Sequence, residues 1–199
     1  NRPEDAHDIL GTYQITSDLE EMQRCPKNED ELIAILKRRH AHLMQARTEI
    51  NPGEFKTITN QAGSTLFVAP DLVEGTLRKG FQWLQGLHTP FQRAVYMMFL
   101  VAEVHPFADG NGRCARIMMN AELVTAGQAR IIVPMVFRNN YLSALKALTH
   151  QSRADALIRC LDFVQNYTSR IDWSDFKKEQ AMLVATHAFE DANTAEVMG

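Results

Sequence analysis

The chain has 199 residues, 45% of them hydrophobic, which is long and apolar enough for one well-buried domain. Its net charge of −3 leaves no electrostatic footprint for nucleic acid. No apolar run reaches the roughly eighteen residues of a membrane span, and no signal peptide is visible. Residues 1–28 form a polar, mixed N-terminal segment. Asn28-x-x-Glu31 has the logic of a capping box and opens a helix running to about Ala46, with Leu32, Ile33, Ile35, Leu36, Leu43 and Met44 as its apolar residues. On that helix Arg38, Arg39, His40 and His42 read as a solvated basic face, not as a metal or nucleic-acid site. Asn51-Pro52-Gly53 then breaks the helix. Lys56–Thr59 and Thr65–Val68 are β-rich runs flanking Ala62-Gly63-Ser64, which predicts a hairpin; an ordinary exposed connection is the competing reading. Pro70 sits early in a helix continued by Leu72, Val73, Leu77, Phe81 and Leu84. Pro90–Val104 and Gly112–Ala126 are apolar on nearly every side and read as core helices. Ile131–Pro134 is a short extended connector, and helices follow at about 139–149, 154–170 and 173–190. Tyr141, Leu145 and Leu148, then Leu157, Leu161, Val164 and Tyr167, supply inward faces. The periodicity gives a mainly helical domain with one hairpin.

The chemistry concentrates in His105-Pro106-Phe107-Ala108-Asp109-Gly110-Asn111-Gly112-Arg113, with Arg116 three residues on. Glycines let backbone N–H groups approach phosphate oxygens, and such a turn opening a helix adds the positive end of its dipole. Asp109 can hold a Mg²⁺ that bridges phosphates, because Mg²⁺ takes one or two carboxylates plus substrate oxygens and water. Arg113 and Arg116 offer planar forks suited to phosphate, and with Asn120 they form one polar stripe on an otherwise apolar helix. His105, neutral near pH 7, can accept a proton from an attacking hydroxyl. The combination reads as a nucleotidyl-transfer site. Two plainer readings compete. Gly110–Ala115 formally fits G-x-G-x-x-A, but that fingerprint follows a strand directly, and here a His, Pro and Asp segment precedes it. The other is a structural loop capped by Asp109 and Asn111, with solvated arginines.

The same segment matches H-x-F-x-[D/E]-G-N-G-R-x-x-R at every specified position, and on those residues the chain resembles the Fic family. The resemblance extends to Gly53–Lys56 through Val68–Pro70, similar to that family's β-hairpin flap, to the helix around Leu84, and to Gly127–Pro134. It covers roughly residues 29–170. It implies a helical bundle with the motif loop joining two central helices, and transfer of AMP from ATP to a Ser, Thr or Tyr hydroxyl of a target protein. Carried over by position, His105 would be the general base and Asp109 the Mg²⁺ ligand. Gly110, Asn111 and Gly112 would form the anion hole, Arg113 would bind the leaving phosphates, and Arg116 would orient the γ-phosphate. Phe107 would anchor the loop in the core.

The resemblance also implies that a target protein docks by strand addition along the flap at Thr57, Ile58, Thr59 and Asn60. Tyr141, after Asn139 and Asn140, falls where relatives line the adenine, although a core tyrosine is the competing reading. Many relatives carry an inhibitory helix, [S/T]-x-x-x-E-[G/N], whose Glu pairs with the second motif arginine, here Arg116. Thr186–Asp191 fits its first part, making Glu190 a candidate in cis against a chance match; the helix can also lie upstream or on another chain. The expected layout is a polar segment 1–28, a catalytic domain 29–170 and a C-terminal, regulatory helix within 171–199. Cys25, Cys114 and Cys160 lack C-x-x-C spacing, so free thiols in a reducing, cytoplasmic compartment are the simplest account. The start at Asn1 in place of Met fits a fragment of something longer. The alternative function is a nucleotide-binding and protein-docking module with little turnover, or transfer of another nucleotide-linked group.

Overall fold

The N-terminal stretch that looks merely polar in sequence is helical. In the computed structural model, which describes residues 3–191, α1 spans Pro3–Ser17 and α2 spans Leu19–Met22. Ile9, Leu10, Tyr13 and Leu19 stay exposed, but Ile15 and Met22 are buried and pack with Leu43, Met44, Ile117 and Ala121. Each fully buried side chain of this size contributes about 2 kcal/mol. Gly11 permits a close approach of α1, since a Cβ there would lie 2.8 Å from the Leu43 carbonyl oxygen.

The next helix, α3, spans Glu29–Leu43 and opens as its sequence specifies. The Asn28 side chain accepts the Glu31 N–H at 2.8 Å, and Glu31 accepts the Lys27 N–H at 2.9 Å. The solvated-face reading of its basic cluster is corrected for two residues, because Arg39 and His40 are buried. They share a face with Leu32, Leu36 and Leu43, so the helical spacing turns them inward. Arg39 is fully partnered there, donating to Glu21 Oε1 and to the carbonyls of Glu21 and Arg24.

The expected hairpin exists but is shorter and displaced. β1 is Gln61–Ala62 and β2 is Thr65–Leu66, antiparallel, with Gln61 opposite Leu66 and Ala62 opposite Thr65. Residues 56–59 do not form a strand, because the Lys56 N–H is already given to the Pro106 carbonyl at 2.9 Å. After a 3₁₀ turn at Pro70–Leu72, α4 runs Val73–Leu84 and buries Val73, Leu77, Phe81 and Leu84. The Thr89/Gln92 capping box and Pro90 start α5, Pro90–Val104. It packs along α6, Asn111–Thr125, the most extensive helix pairing of the first unit, residues 1–128.

The second unit begins at Ala129. It holds α7 (Arg138–Gln151), α8 (Asp155–Ser169) and α9 (Phe176–Ala185), with α8 burying Leu157, Leu161 and Val164. The expected helix over 173–190 therefore stops early. Thr186 caps it, His187 turns left-handed at φ 55°, and Ala188 N–H donates back to the Leu183 carbonyl at 2.9 Å. These are the bonds of a Schellman stop, so the Thr186–Asp191 pattern lies in a turn and not on a helix. The sequence segment 171–199 runs past the described residues at its end. Among the described residues no helix is long and apolar enough to cross a membrane.

Candidate active site

Six residues, His105 to Gly110, join α5 to α6, and nearly every one is fastened. His105 ends α5 in a left-handed conformation, φ 52° and ψ 59°. Phe107 is fully buried between the His40 ring, stacked at 3.7 Å, and Phe55 at 5.5 Å. Asn111 closes the loop on itself: its Oδ1 accepts the Phe107 N–H and its Nδ2 donates to the Phe107 carbonyl, both at 2.8 Å. Asn60 Nδ2 donates to that same carbonyl at 2.9 Å. His40 Nε2–H donates to the Asp109 carbonyl at 3.1 Å while its Nδ1 accepts from Gly53 N–H at 2.9 Å. Burial pushes the His40 imidazole down to about 4, so it is neutral. Gly110 is left-handed at φ 75°, and a Cβ there would meet the Met44 sulfur at 2.8 Å. Both constraints demand glycine at this position. A loop held this tightly is preorganised.

The chemistry-bearing atoms follow from that scaffold. His105 Nδ1 lies 3.1 Å from the Ala102 carbonyl, so Nδ1 carries the proton and Nε2 keeps its lone pair. Burial lowers the His105 pKa, aided by the charge of Lys56; the Ala102 bond and Asp109 oppose it. Gly110 caps α6 without a side chain, and the first intrahelical bond is Cys114 N–H to Gly110 at 3.0 Å. The N–H groups of Asn111, Gly112 and Arg113 are thus first-turn donors, suited to an anion. Asn111 contributes by its backbone alone, since its amide is committed to Phe107.

Asp109 is half exposed; its Oδ1 accepts the Gly110 N–H at 2.6 Å. Among the described residues no group of three His, Cys, Asp or Glu could cage a metal. One half-exposed carboxylate beside the first turn of α6 nevertheless matches the donor set of a Mg²⁺ that takes its other ligands from phosphates and water.

One partner was invisible in sequence. Asp8 of α1, only 3% exposed, receives Arg113 Nη1 and Arg47 Nη2 at 2.6 Å each. Arg47 Nη1 lies in turn 3.7 Å from Asp109 Oδ2. Burial raises the Asp8 pKa, but the bonds from Arg47 and Arg113 outweigh it and hold the carboxyl below the usual range. Asp109, Arg47, Asp8 and Arg113 therefore form an alternating chain of charges across the motif. Arg116 lies half-buried one turn further along α6.

The flap residues divide. Thr57, Ile58 and Thr59 are exposed, Ile58 by 79%, whereas Asn60 turns inward to the motif loop and to Lys56. The Asn60 side chain is thus held by the scaffold, unlike those of its three neighbours. Phe67 lies flat on the His105 ring at 3.7 Å, a contact no motif signalled. Tyr141 and Glu190 belong to the second unit. Tyr141 is buried at the start of α7, and Glu190 pairs with His187 in its own turn.

Comparison with known proteins agrees with this geometry. The profile of the Fic/DOC family matches residues 16–123. The chain is 27% identical over 156 residues to "Protein adenylyltransferase Fic" of Drosophila persimilis, covering 75% of this chain and 30% of that protein. It is 30% identical over 110 residues to "Protein adenylyltransferase fic-1" of Caenorhabditis briggsae, covering 53% of this chain and 22% of that protein. The chain thus spans under a third of the length of these relatives. Among solved structures, Fic-1 from C. elegans superposes with a TM-score of 0.68 at 18% identity, over 94% of this chain and 53% of that one. A Fic-domain signaling protein from Bacteroides thetaiotaomicron gives 0.64 at 20% identity, over 100% and 76%. At those identities the likeness is one of fold.

Proposed function

The chain belongs to the Fic/DOC family, and from that premise we propose that it is a protein adenylyltransferase. The observation that carries the reading is the pairing of a free His105 Nε2 lone pair with an uncapped α6 N-terminus and two motif arginines, on one fastened loop. In this reaction a target hydroxyl oxygen attacks the α-phosphorus of ATP and its proton passes to His105 Nε2. The bond from the α-phosphorus to the bridging oxygen breaks, and pyrophosphate leaves. The first-turn N–H groups and Arg113 bind phosphate oxygens, and Arg116 orients the γ-phosphate, so catalysis is mostly positioning and charge neutralisation. Asp109 would hold Mg²⁺, which supplies neutralisation of phosphate charge. The exposed segment Thr57–Thr59 supports docking of a target segment beside Ile58. The three free cysteines support a reducing, cytoplasmic setting.

The second reading, a docking module with little turnover, draws on the Asp8–Arg113 pair, which occupies an arginine that the phosphates need. One experiment separates the two. The full chain and its Asp8→Asn variant are incubated with Mg²⁺, cell lysate and ATP labelled at either the α- or the γ-phosphate. Adenylyl transfer labels protein from the α position only, and His105→Ala lowers the rate by about 10²–10⁴ while the chain stays folded. Label from the γ position would overturn AMP transfer. No label from either chain would favour the docking module.

A further inference from the structure

Lys56 is 5% exposed, and among the described residues no carboxylate lies within ion-pair distance of it. Its ammonium donates to Asn60 Oδ1 at 2.7 Å and to the Val104 carbonyl, the last of α5, at 3.3 Å. It also lies 5.9 Å from the centre of the Phe67 ring, the ring stacked on His105. A buried ammonium held by neutral acceptors alone is costly to fold around, and a leucine or methionine would fill such a place more cheaply. Its location is therefore informative: it ties together the start of the flap, the end of α5 and the aromatic cover of the base.

We propose that Lys56 is a positioning residue for His105, its buried charge fixing the flap root over the end of α5 and keeping the neighbouring imidazole in its neutral, proton-accepting form. This rests on the reading of His105 as the base. The groups facing that ring are Lys56 from the flap root, Asp109 from the motif loop, the Ala102 carbonyl from α5 and the Phe67 face. Lys56 is the only cation in that set, and it works with burial to hold the His105 pKa down, against the Ala102 bond and Asp109. Burial brings Lys56 itself down to about 8, so its charge is present through the range in which an imidazole titrates. Below pH 8 the ammonium repels a second proton on His105. Above pH 8 it fades, where His105 is neutral regardless.

The test titrates the histidines of the full chain by NMR with isotope-labelled histidine, the His105 signal being assigned from its loss in His105→Ala. Lys56→Met and Lys56→Gln remove the charge, and Lys56→Arg keeps it. The expected result is a His105 midpoint raised by roughly half a pH unit or more in the neutral variants and unmoved in Lys56→Arg. The acid limb of α-phosphate labelling should shift by the same interval. An unchanged midpoint in a folded neutral variant overturns the proposal. So does loss of folding in both neutral variants while Lys56→Arg folds, since Lys56 would then serve the fold alone. The titration needs no turnover. A chain that labels nothing but shows the shifted midpoint would sink the transferase reading and leave the coupling of Lys56 to His105 standing.

Discussion

His40 stays neutral in the interior because both ring nitrogens are committed, Nδ1 as acceptor and Nε2–H as donor. A proton on Nδ1 would turn that acceptor into a donor facing the Gly53 N–H. The unfolded chain takes up this proton near pH 6.5, whereas the folded chain resists it until about 4. Stability is therefore full above pH 6.5, falls as pH drops toward 4, and levels off below. The gap corresponds to about 3 kcal/mol. Urea unfolding at pH 7 and pH 4.5 should show a loss of that order in the parent and a smaller loss in His40→Gln, whose amide can accept and donate but does not titrate. Equal losses would assign the acid sensitivity elsewhere. At this scale the sequence was only half legible. His105, Asp109 and the motif arginines stand out by type and spacing, but His40 and Arg39 look like surface charge unless their register with Leu36 and Leu43 is followed.

At the scale of elements, α1 is the part with the most consequence. It delivers Asp8 to Arg113, and nothing in the residues around Asp8 announces this, because the contact depends on how α1 seats on α3. The sequence offers Glu190 as an inhibitory carboxylate; within the first unit, Asp8 is the carboxylate that holds a motif arginine. Asp8→Asn should tighten Mg·ATP binding on the order of tenfold, since one charge-assisted pair no longer competes with phosphate. It should also lower the melting temperature, because Arg47 loses its buried partner. Glu190→Gly should leave binding unchanged. Gly11→Ala tests the same idea without touching charge: its Cβ would meet the Leu43 backbone and push α1 away, at a cost of about 1–3 kcal/mol. Calorimetric titration with Mg·ATP checks all three, and tightening in Glu190→Gly alone would reverse the assignment. The hairpin teaches a related lesson. Its β-rich runs were legible, but its register was not, because the Lys56 backbone and the Asn60 side chain are claimed by the motif loop.

Across the whole molecule the helical architecture was readable from apolar spacing, most plainly in α5 and α6, where nearly every side is buried. The ends of elements were less so. The Schellman stop after α9 depends on a left-handed histidine where glycine is the usual signal. The long-range pairs depend on seating that spacing cannot encode. On the proposed reading, the alternating chain of Asp109, Arg47, Asp8 and Arg113 would also govern how fast a nucleotide arrives. Its charges cancel in pairs, so on the proposed reading that chain adds little field toward an approaching polyanion, and Arg116 is the motif arginine left outside it. Neutralising Asp8 unmasks a cation, steepens that field and makes arrival sensitive to ionic strength. Stopped-flow association of a fluorescent ATP analogue should therefore be slow and nearly flat against added salt in the parent, and faster and steeply salt-dependent in Asp8→Asn. Parallel salt slopes in the two would mean that the chain of charges is already open in solution. On the proposed reading, the latch on Arg113 would be, in kinetic terms, a gate on capture as well as on affinity.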